Sequence, residues 1–375
     1  MPKRESELKL KVMDGLGFNL TMAVIAQAIE EKVAPSIAIG VWSAVRADEA
    51  FVAGVGAGVN LHSVFDLASV SKVMGTMAAV AYLIEKRVLN WDTQVQSVLP
   101  EYPDGEAKLI HLVSHTAGWV WWKPFWEELR AQYPGKQIET IPVIERQQNY
   151  FEMISKLKPE HKVGENCTYS DVSMMWVQFV IEKLTNKPLD VLLEKIVWPW
   201  MGIESAYYQR IDKPGIANTA VIPTEDCLWR GRRLQGVVHD DNCYVMGGYA
   251  GHAGVFGEVS APLWFGRRIL TGFFDKDVMR GFFRRVARPS HCTRTAGFDT
   301  PSGDNPSIGR YFSDASIGHL GYTGTSLWID PINKIVVTLL TNRVYYSREN
   351  EKIKIFRPMI HNELALDLKA LGLMA

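Results

Sequence analysis

Apolar runs near both ends of the chain predict strands, and the longer periodic stretches between them predict helices. Ser36 to Ser43 (SIAIGVWS) and Glu49 to Gly54 are short and rich in Val, Ile and Trp, the signature of a strand pair. Thr325 to Asp330 (TSLWID) and Lys334 to Thr341 (KIVVTLLT) predict a second pair, with Pro331, Ile332 and Asn333 as its turn. Glu5 to Lys32 predicts helix, divided by Gly15 and Gly17, and Glu351 to Leu371 carries helical apolar spacing. In the middle, Ser69 to Arg87 and Val172 to Leu184 predict helices, the first apolar nearly all round and therefore buried. Strands from both termini imply one sheet. An α/β lobe is expected over roughly residues 1–65 and 290–375, with a mostly helical lobe inserted over roughly 66–289 and a ligand cleft between them.

Composition narrows the partners more than the fold. The chain has 375 residues, 47% hydrophobic and 22% charged, enough for a large core. Lys plus Arg equal Asp plus Glu at 41 each, so no charge excess steers the chain toward nucleic acid or an acidic membrane surface. A small neutral or weakly charged ligand is expected. The apolar run around Met77 to Ile84 is too short to span a bilayer. Leu8 to Met13, interrupted by Lys9 and Lys11, is no apolar leader segment, so a cytoplasmic location is expected, or a periplasmic one if a leader has been removed. Cys167, Cys227, Cys243 and Cys292 lie far apart without metal-ligand spacing, which predicts free interior thiols.

Three segments carry candidate chemistry. Ser69 and Lys72 are three residues apart, on one face of a helix starting at Ser69, where the helix dipole favours an alkoxide. The apolar residues after Lys72 predict a desolvated, partly neutral amine able to take a proton from the serine. By itself S-x-x-K is a common chance pattern, and Ser69 could simply cap the helix. Tyr169 and Asp171 immediately precede the helix from Val172; the tyrosine could exchange a proton with the serine–lysine pair, and Asp171 reads equally as an N-cap. Gly318 to Thr325 (GHLGYTGT) runs into the strand from Ser326, and its glycines allow close approach of a substrate backbone. There the Tyr322 N–H could join that of Ser69 as an oxyanion hole.

In this order and spacing, the three segments resemble the serine β-lactamase and penicillin-binding-protein superfamily, and more closely its class C β-lactamase-like and esterase-like branch. Ser69 and Lys72 match that family's S-x-x-K, Tyr169 its Y-x-N, and His319 with Gly321 its K-T-G or H-x-G. Ile110 to Gly118 (IHLVSHTAG), Gly247 to Phe256 (GGYAGHAGVF) and Gly318 to Pro331 extend the likeness over roughly residues 20–345. The resemblance implies a β-lactamase-like fold, an antiparallel sheet of N- and C-terminal strands flanked by helices. Two departures bear on the substrate. Asp171 stands where the family often has Asn and cannot donate an amide N–H; His319 stands where β-lactamases have Lys and holds a carboxylate less firmly. Both lean the reading toward substrates without a terminal carboxylate.

Other residues have quieter readings. Trp121 and Trp122, with Trp119 and Trp126, predict an apolar wall of the cleft or a packing surface. His239, Asp240 and Asp241, with His252 nearby, match no established zinc spacing and read as loop hydrogen bonding, and His115 reads as structural. The reaction expected is acyl transfer to water through a Ser69 acyl-enzyme, with Lys72 as base, Tyr169 as proton relay, Ser69 and Tyr322 amides as oxyanion hole, and Asp171, His319, Gly321, Trp121 and Trp122 contacting substrate. No cofactor or metal enters that scheme, and its substrate is a small ester, peptide or β-lactam. The rivals are an esterase without β-lactam recognition and a non-catalytic binding or sensing module on the same fold.

Overall fold

A computed structural model of the chain describes residues 4–56, 58–213 and 221–374; Met1 to Lys3 lie outside the described residues. Ser36–Ser43 is buried at every position, which accounts for its unbroken apolar run. Ile37, Ile39 and Val41 face one core, while Ala38 and Trp42 face another, as strand alternation requires. The six strands of this sheet run in the order Lys9–Val12, Glu49–Gly56, Ser36–Ser43, Ile335–Thr341, Ser326–Asp330, Ile317–Leu320. Both expected strand pairs form, and Ile335–Thr341 pairs antiparallel with Ser36–Ser43, joining the two ends of the chain at the sheet's centre.

Two expectations are corrected here. Lys9–Val12, expected inside a helix, is an edge strand pairing parallel to Glu49–Val52, so the sheet is mixed rather than wholly antiparallel. Its Lys–Leu–Lys–Val alternation is the period of a strand, and the exposed lysines suit an unprotected sheet edge. The helix begins only at Asn19 and runs to Glu30. Ile317–Leu320 forms the opposite edge strand of the sheet and places His319 opposite Leu327.

Helices Asn19–Glu30 and Ile353–Ala370 cover one face of the sheet. They are tied by Asp367, whose Oδ2 accepts from the Thr21 N–H at 2.8 Å and its hydroxyl at 2.7 Å. The other face takes helix Ser260–Leu270, although that helix falls in the segment expected to build the helical lobe. Gly40 allows this close approach, since a Cβ there would stand 2.6 Å from Leu263 Cδ1. Beyond it lies the larger core, where a short sheet of Phe65–Asp66, Val255–Gly257 and Ala206–Tyr208 leads out of the main sheet. Among the described residues no helix is long and apolar enough to cross a membrane.

The cysteines divide. Cys227 and Cys243 are buried free thiols, but Cys167 and Cys292 form a disulfide, contrary to expectation. The two are 125 residues apart in sequence with Cα atoms 5.6 Å apart, a proximity that spacing along the chain cannot show.

Candidate active site

The strand Phe65–Asp66 ends where Leu67 donates its N–H to the Val255 carbonyl at 3.0 Å, and the chain then turns sharply at Ala68. Ala68 has φ +48°, a left-handed conformation rarely taken by residues with a Cβ. Asp66 braces it, accepting from the Ala68 N–H at 2.8 Å through Oδ1 and from the His239 N–H at 2.7 Å through Oδ2. Ser69 sits in the tight 3-10 turn Ala68–Val70, followed by a π-helical stretch Lys72–Met77 and an α-helix Ala78–Glu85. The single helix expected from Ser69 is thus wound in three ways, a departure that often accompanies functional sites. The three-residue spacing nevertheless serves its purpose: Lys72 Nζ is 3.0 Å from Ser69 Oγ.

Lys72 is 1% exposed. Its Nζ lies 2.8 Å from the His252 carbonyl oxygen and 2.8 Å from Asp171 Oδ1, so with Ser69 three acceptors match the three N–H bonds of an ammonium. Burial pulls its pKa down, but Asp171 and Tyr169 outweigh burial and hold it above the ordinary lysine value. This direction runs against the expectation of a partly neutral amine. Apolar neighbours were visible in the sequence; the carboxylate reaching in from a distant helix was not.

Tyr169 precedes helix Asp171–Thr185, which Ser170 rather than Asp171 caps, its hydroxyl accepting from the Ser173 N–H. That leaves the Asp171 carboxylate free for Lys72, while the Asp171 N–H donates to the Trp121 carbonyl at 2.9 Å and holds the two loops together. The Tyr169 hydroxyl is a neighbour of both Ser69 and Lys72. Burial raises its pKa, and Lys72 offsets this only in part. Its ring packs between His115 and His319, at centroid distances of 4.8 and 5.8 Å. His115 accepts from the Ser170 N–H at 3.1 Å, so it supports the Tyr169 loop.

The third segment is fastened to the nucleophile's strand. Thr323 and Thr325 donate their hydroxyls to the carbonyls of Asp66 and Leu67, both at 2.9 Å. Gly321 makes this approach possible, because a Cβ there would collide with Thr325 Oγ1 and stand 2.8 Å from the Leu67 carbonyl oxygen. The Tyr322 N–H meets no backbone acceptor among the described residues, as an oxyanion donor requires. His319 is buried, and Nδ1 lies 2.8 Å from the Leu320 carbonyl, so it carries the proton and Nε2 is left as a bare acceptor without a partner. Burial, then Lys72 and Arg294, hold its pKa well below the usual range, so the ring is neutral and supplies no cation.

Two cavities meet at Ser69. One, of about 430 Å³, is lined by Tyr169, Arg294, His319, Gly321, Arg343 and Arg357 among others. Arg294 lies 5.0 Å from the Tyr169 ring centroid and pairs with Asp299 at 2.5 Å. Arg343 and Arg357 hydrogen-bond to backbone carbonyls, with no carboxylate partner among the described residues. These arginines escaped sequence reasoning because nothing local distinguishes them; they bring guanidinium groups to the cavity that His319 lines, alongside the carboxylates of Asp299 and Glu351. The other cavity, of about 320 Å³, is lined by Trp121, Trp122, Asp171, Asp240, Asp241 and His252 among others. Of the four clustered tryptophans, Trp121 and Trp122 therefore reach the cleft, whereas Trp119 is buried against Tyr102 and Trp126 stacks on Trp229. Donor atoms of Asp171, Asp240 and His252 lie within 4.8 Å of one another, a grouping with the geometry of a cation site, but the Lys72 ammonium already occupies Asp171. His239 is apart from them, 3.2 Å from Glu225.

A family model described as Beta-lactamase matches residues 23–357. A Salmonella agona protein named "Putative D-alanyl-D-alanine carboxypeptidase" is 29% identical over 321 residues, 78% of this chain and 72% of that protein. Among solved structures, simvastatin synthase from Aspergillus terreus superposes with a TM-score of 0.69 at 14% identity, covering 93% of this chain and 95% of its own. A class C beta lactamase from Rhodobacter sphaeroides gives a TM-score of 0.66 at 17% identity over 92% of this chain and 99% of its own.

Proposed function

The chain belongs to the beta-lactamase family and is a serine hydrolase, and on that premise we propose that Ser69 is acylated by a small peptide or ester bearing a carboxylate on its leaving group. The observation that carries the reading is the buried contact of Ser69 Oγ with Lys72 Nζ at 3.0 Å, beside Tyr169. Held as an ammonium among Ser69, the His252 carbonyl and Asp171, Lys72 has no lone pair for the serine proton, which leaves the Tyr169 oxygen as the base. To take that proton Tyr169 reacts as the phenolate, the form that the neighbouring Lys72 ammonium stabilises against burial; as Ser69 attacks, its proton passes to the phenolic oxygen and Tyr169 becomes the neutral phenol. The Ser69 and Tyr322 N–H groups hold the carbonyl oxygen as it becomes an oxyanion. Tyr169 returns the proton to the leaving group. Water, losing its proton to Tyr169 in the same way, then releases the acyl group and regenerates Ser69.

The leaving-group carboxylate is assigned to the cavity of Arg294, Arg343 and Arg357. The guanidinium of Arg294 can bind a carboxylate in two-pronged fashion, which the neutral His319 cannot. This reading runs against the lean toward substrates without a carboxylate that positions 171 and 319 suggested. The curated relative's name points the same way.

Intact-mass spectrometry after mixing with a penicillin tests the reading, alongside fluorophosphonate labelling. A penicilloyl adduct or hydrolysed drug is expected, together with fluorophosphonate on Ser69, both absent in Ser69→Ala. An unmodified Ser69 with both reagents refutes the nucleophile. Fluorophosphonate labelling without any reaction with penicillin refutes the carboxylate and leaves a simple esterase.

A further inference from the structure

The second cavity differs from the first in charge and in surface, and the difference is not used by the chemistry at Ser69. Three carboxylates and one guanidinium, that of Arg348, line it. Asp171 is held by Lys72, and Asp241 by Arg230 at 2.5 Å and Arg348 at 3.0 Å. Asp240 pairs with no lysine or arginine among the described residues. Its Oδ1 accepts from the Cys243 N–H at 2.7 Å and faces His252 Nε2 at 2.9 Å, and its side chain is 27% exposed. His252 is 1% exposed, lines the same cavity, and its Nδ1 has no hydrogen-bond partner. In the tautomer that directs Nε2–H at Asp240, the unpartnered Nδ1 is an acceptor. Trp121, 61% exposed, and Trp122 stand beside these groups with ring centroids 5.8 Å apart.

A carboxylate without a full cationic partner, a bare imidazole nitrogen and two indole faces share one property: each attracts a positively charged N–H donor. We propose that this cavity binds a free ammonium on the acyl part of the substrate, so that the enzyme prefers zwitterionic substrates with an amine on the acyl side and a carboxylate on the leaving side. Asp240 supplies the counter-charge, His252 Nδ1 accepts a second N–H, and the Trp121–Trp122 pair closes the site as a cation–π wall. The inference rests on the acyl-enzyme reading above. It goes beyond it in naming the acyl group. The small cavity volume of about 320 Å³ suits a single amino-acid residue rather than a long acylated chain.

The test compares D-alanyl-D-alanine and its L,L and mixed diastereomers with their N-acetylated forms, reading free alanine. The preferred diastereomer should show a kcat/KM at least about tenfold higher with the amine free, the scale of a hydrogen bond to a charged group. Asp240→Asn retains an acceptor for the Cys243 N–H, so the local helix keeps its cap, and it should lower turnover of the free-amine form by about tenfold while changing the acetylated form little. Trp121→Leu, at an exposed position, should lower it about two- to fivefold. Equal or better turnover of the acetylated forms, an equal loss for both in Asp240→Asn, or no dipeptide turnover by an enzyme whose Ser69 still labels with fluorophosphonate would each overturn the ammonium site alone. If Ser69 does not label, the acyl-enzyme reading fails and takes the ammonium site with it.

Discussion

Replacing Asp171 with Asn isolates the electrostatic argument about Lys72. In the native protein Lys72 is 1% exposed and its ammonium meets Asp171 at 2.8 Å, with that carboxylate 14% exposed. Removing one partner of a buried pair leaves the other charge uncompensated and costs about 3–5 kcal/mol. An unfolding entropy of about 2.1 cal/mol/K per residue gives about 0.8 kcal/mol/K for this length, so Tm at pH 7 should fall by about 5 °C. The pH dependence carries the sharper test. The native Lys72 pKa lies above its ordinary value, so the stability it contributes is fully present below about pH 10.4 and is lost only as pH rises through the folded-state pKa. Between pH 6 and 9 this group should leave Tm unchanged. In Asp171→Asn the opposing carboxylate is gone and burial dominates, which drives the folded-state pKa below the unfolded one. The unfolded state then binds more protons, and stability rises with pH. Differential scanning calorimetry of both proteins from pH 6 to 9 should show the Tm deficit shrinking steadily. A variant as stable as the native protein at pH 7, or one whose deficit grows with pH, would refute the assignment of Asp171 as the residue that keeps Lys72 charged.

Arg294→Ala should raise KM about tenfold or more for substrates ending in a carboxylate and leave KM for neutral esters within about twofold, measured by steady-state kinetics on matched acid and ester pairs. Gly321→Ala forces a methyl group onto Thr325 Oγ1 and the Leu67 carbonyl, so it should displace the Tyr322 amide and lower kcat by about 10²-fold or more while circular dichroism stays native. Cys167→Ser should cost about 2–5 kcal/mol in urea denaturation, and native protein unfolded in reductant should lose the same amount. Cys227 and Cys243, being buried, should stay unreactive toward a thiol reagent until the protein unfolds.

Local pattern made some elements legible and left others hidden. Ser36–Ser43 and Ile335–Thr341 are recognisable because strands buried on both faces must be apolar at nearly every position. Lys9–Val12 was hidden because four residues do not separate strand from helix, and its pairing partner Glu49–Val52 lies forty residues on. Ser69 and Lys72 could be paired from a spacing of three. Arg294, Asp240 and His252 could not be placed at the same site, since only folding brings them there. Asp240 and His252 were noticed together in the sequence, but only as loop hydrogen bonding without a metal-ligand spacing.

The sequence by itself determined the family, the sheet built from both termini, and the order in which Ser69, Lys72, Tyr169, His319 and Gly321 arrive, because these depend on periodicity and short spacing. Tertiary structure alone decided the charge on the groups. Asp171 reaches Lys72 from another helix and keeps it an ammonium, while burial beside Lys72 and Arg294 keeps His319 neutral. It also decided that an arginine-lined cavity and a carboxylate–tryptophan cavity share one serine. Protonation and recognition depend on distance and dielectric in three dimensions, and neither quantity is written along the chain.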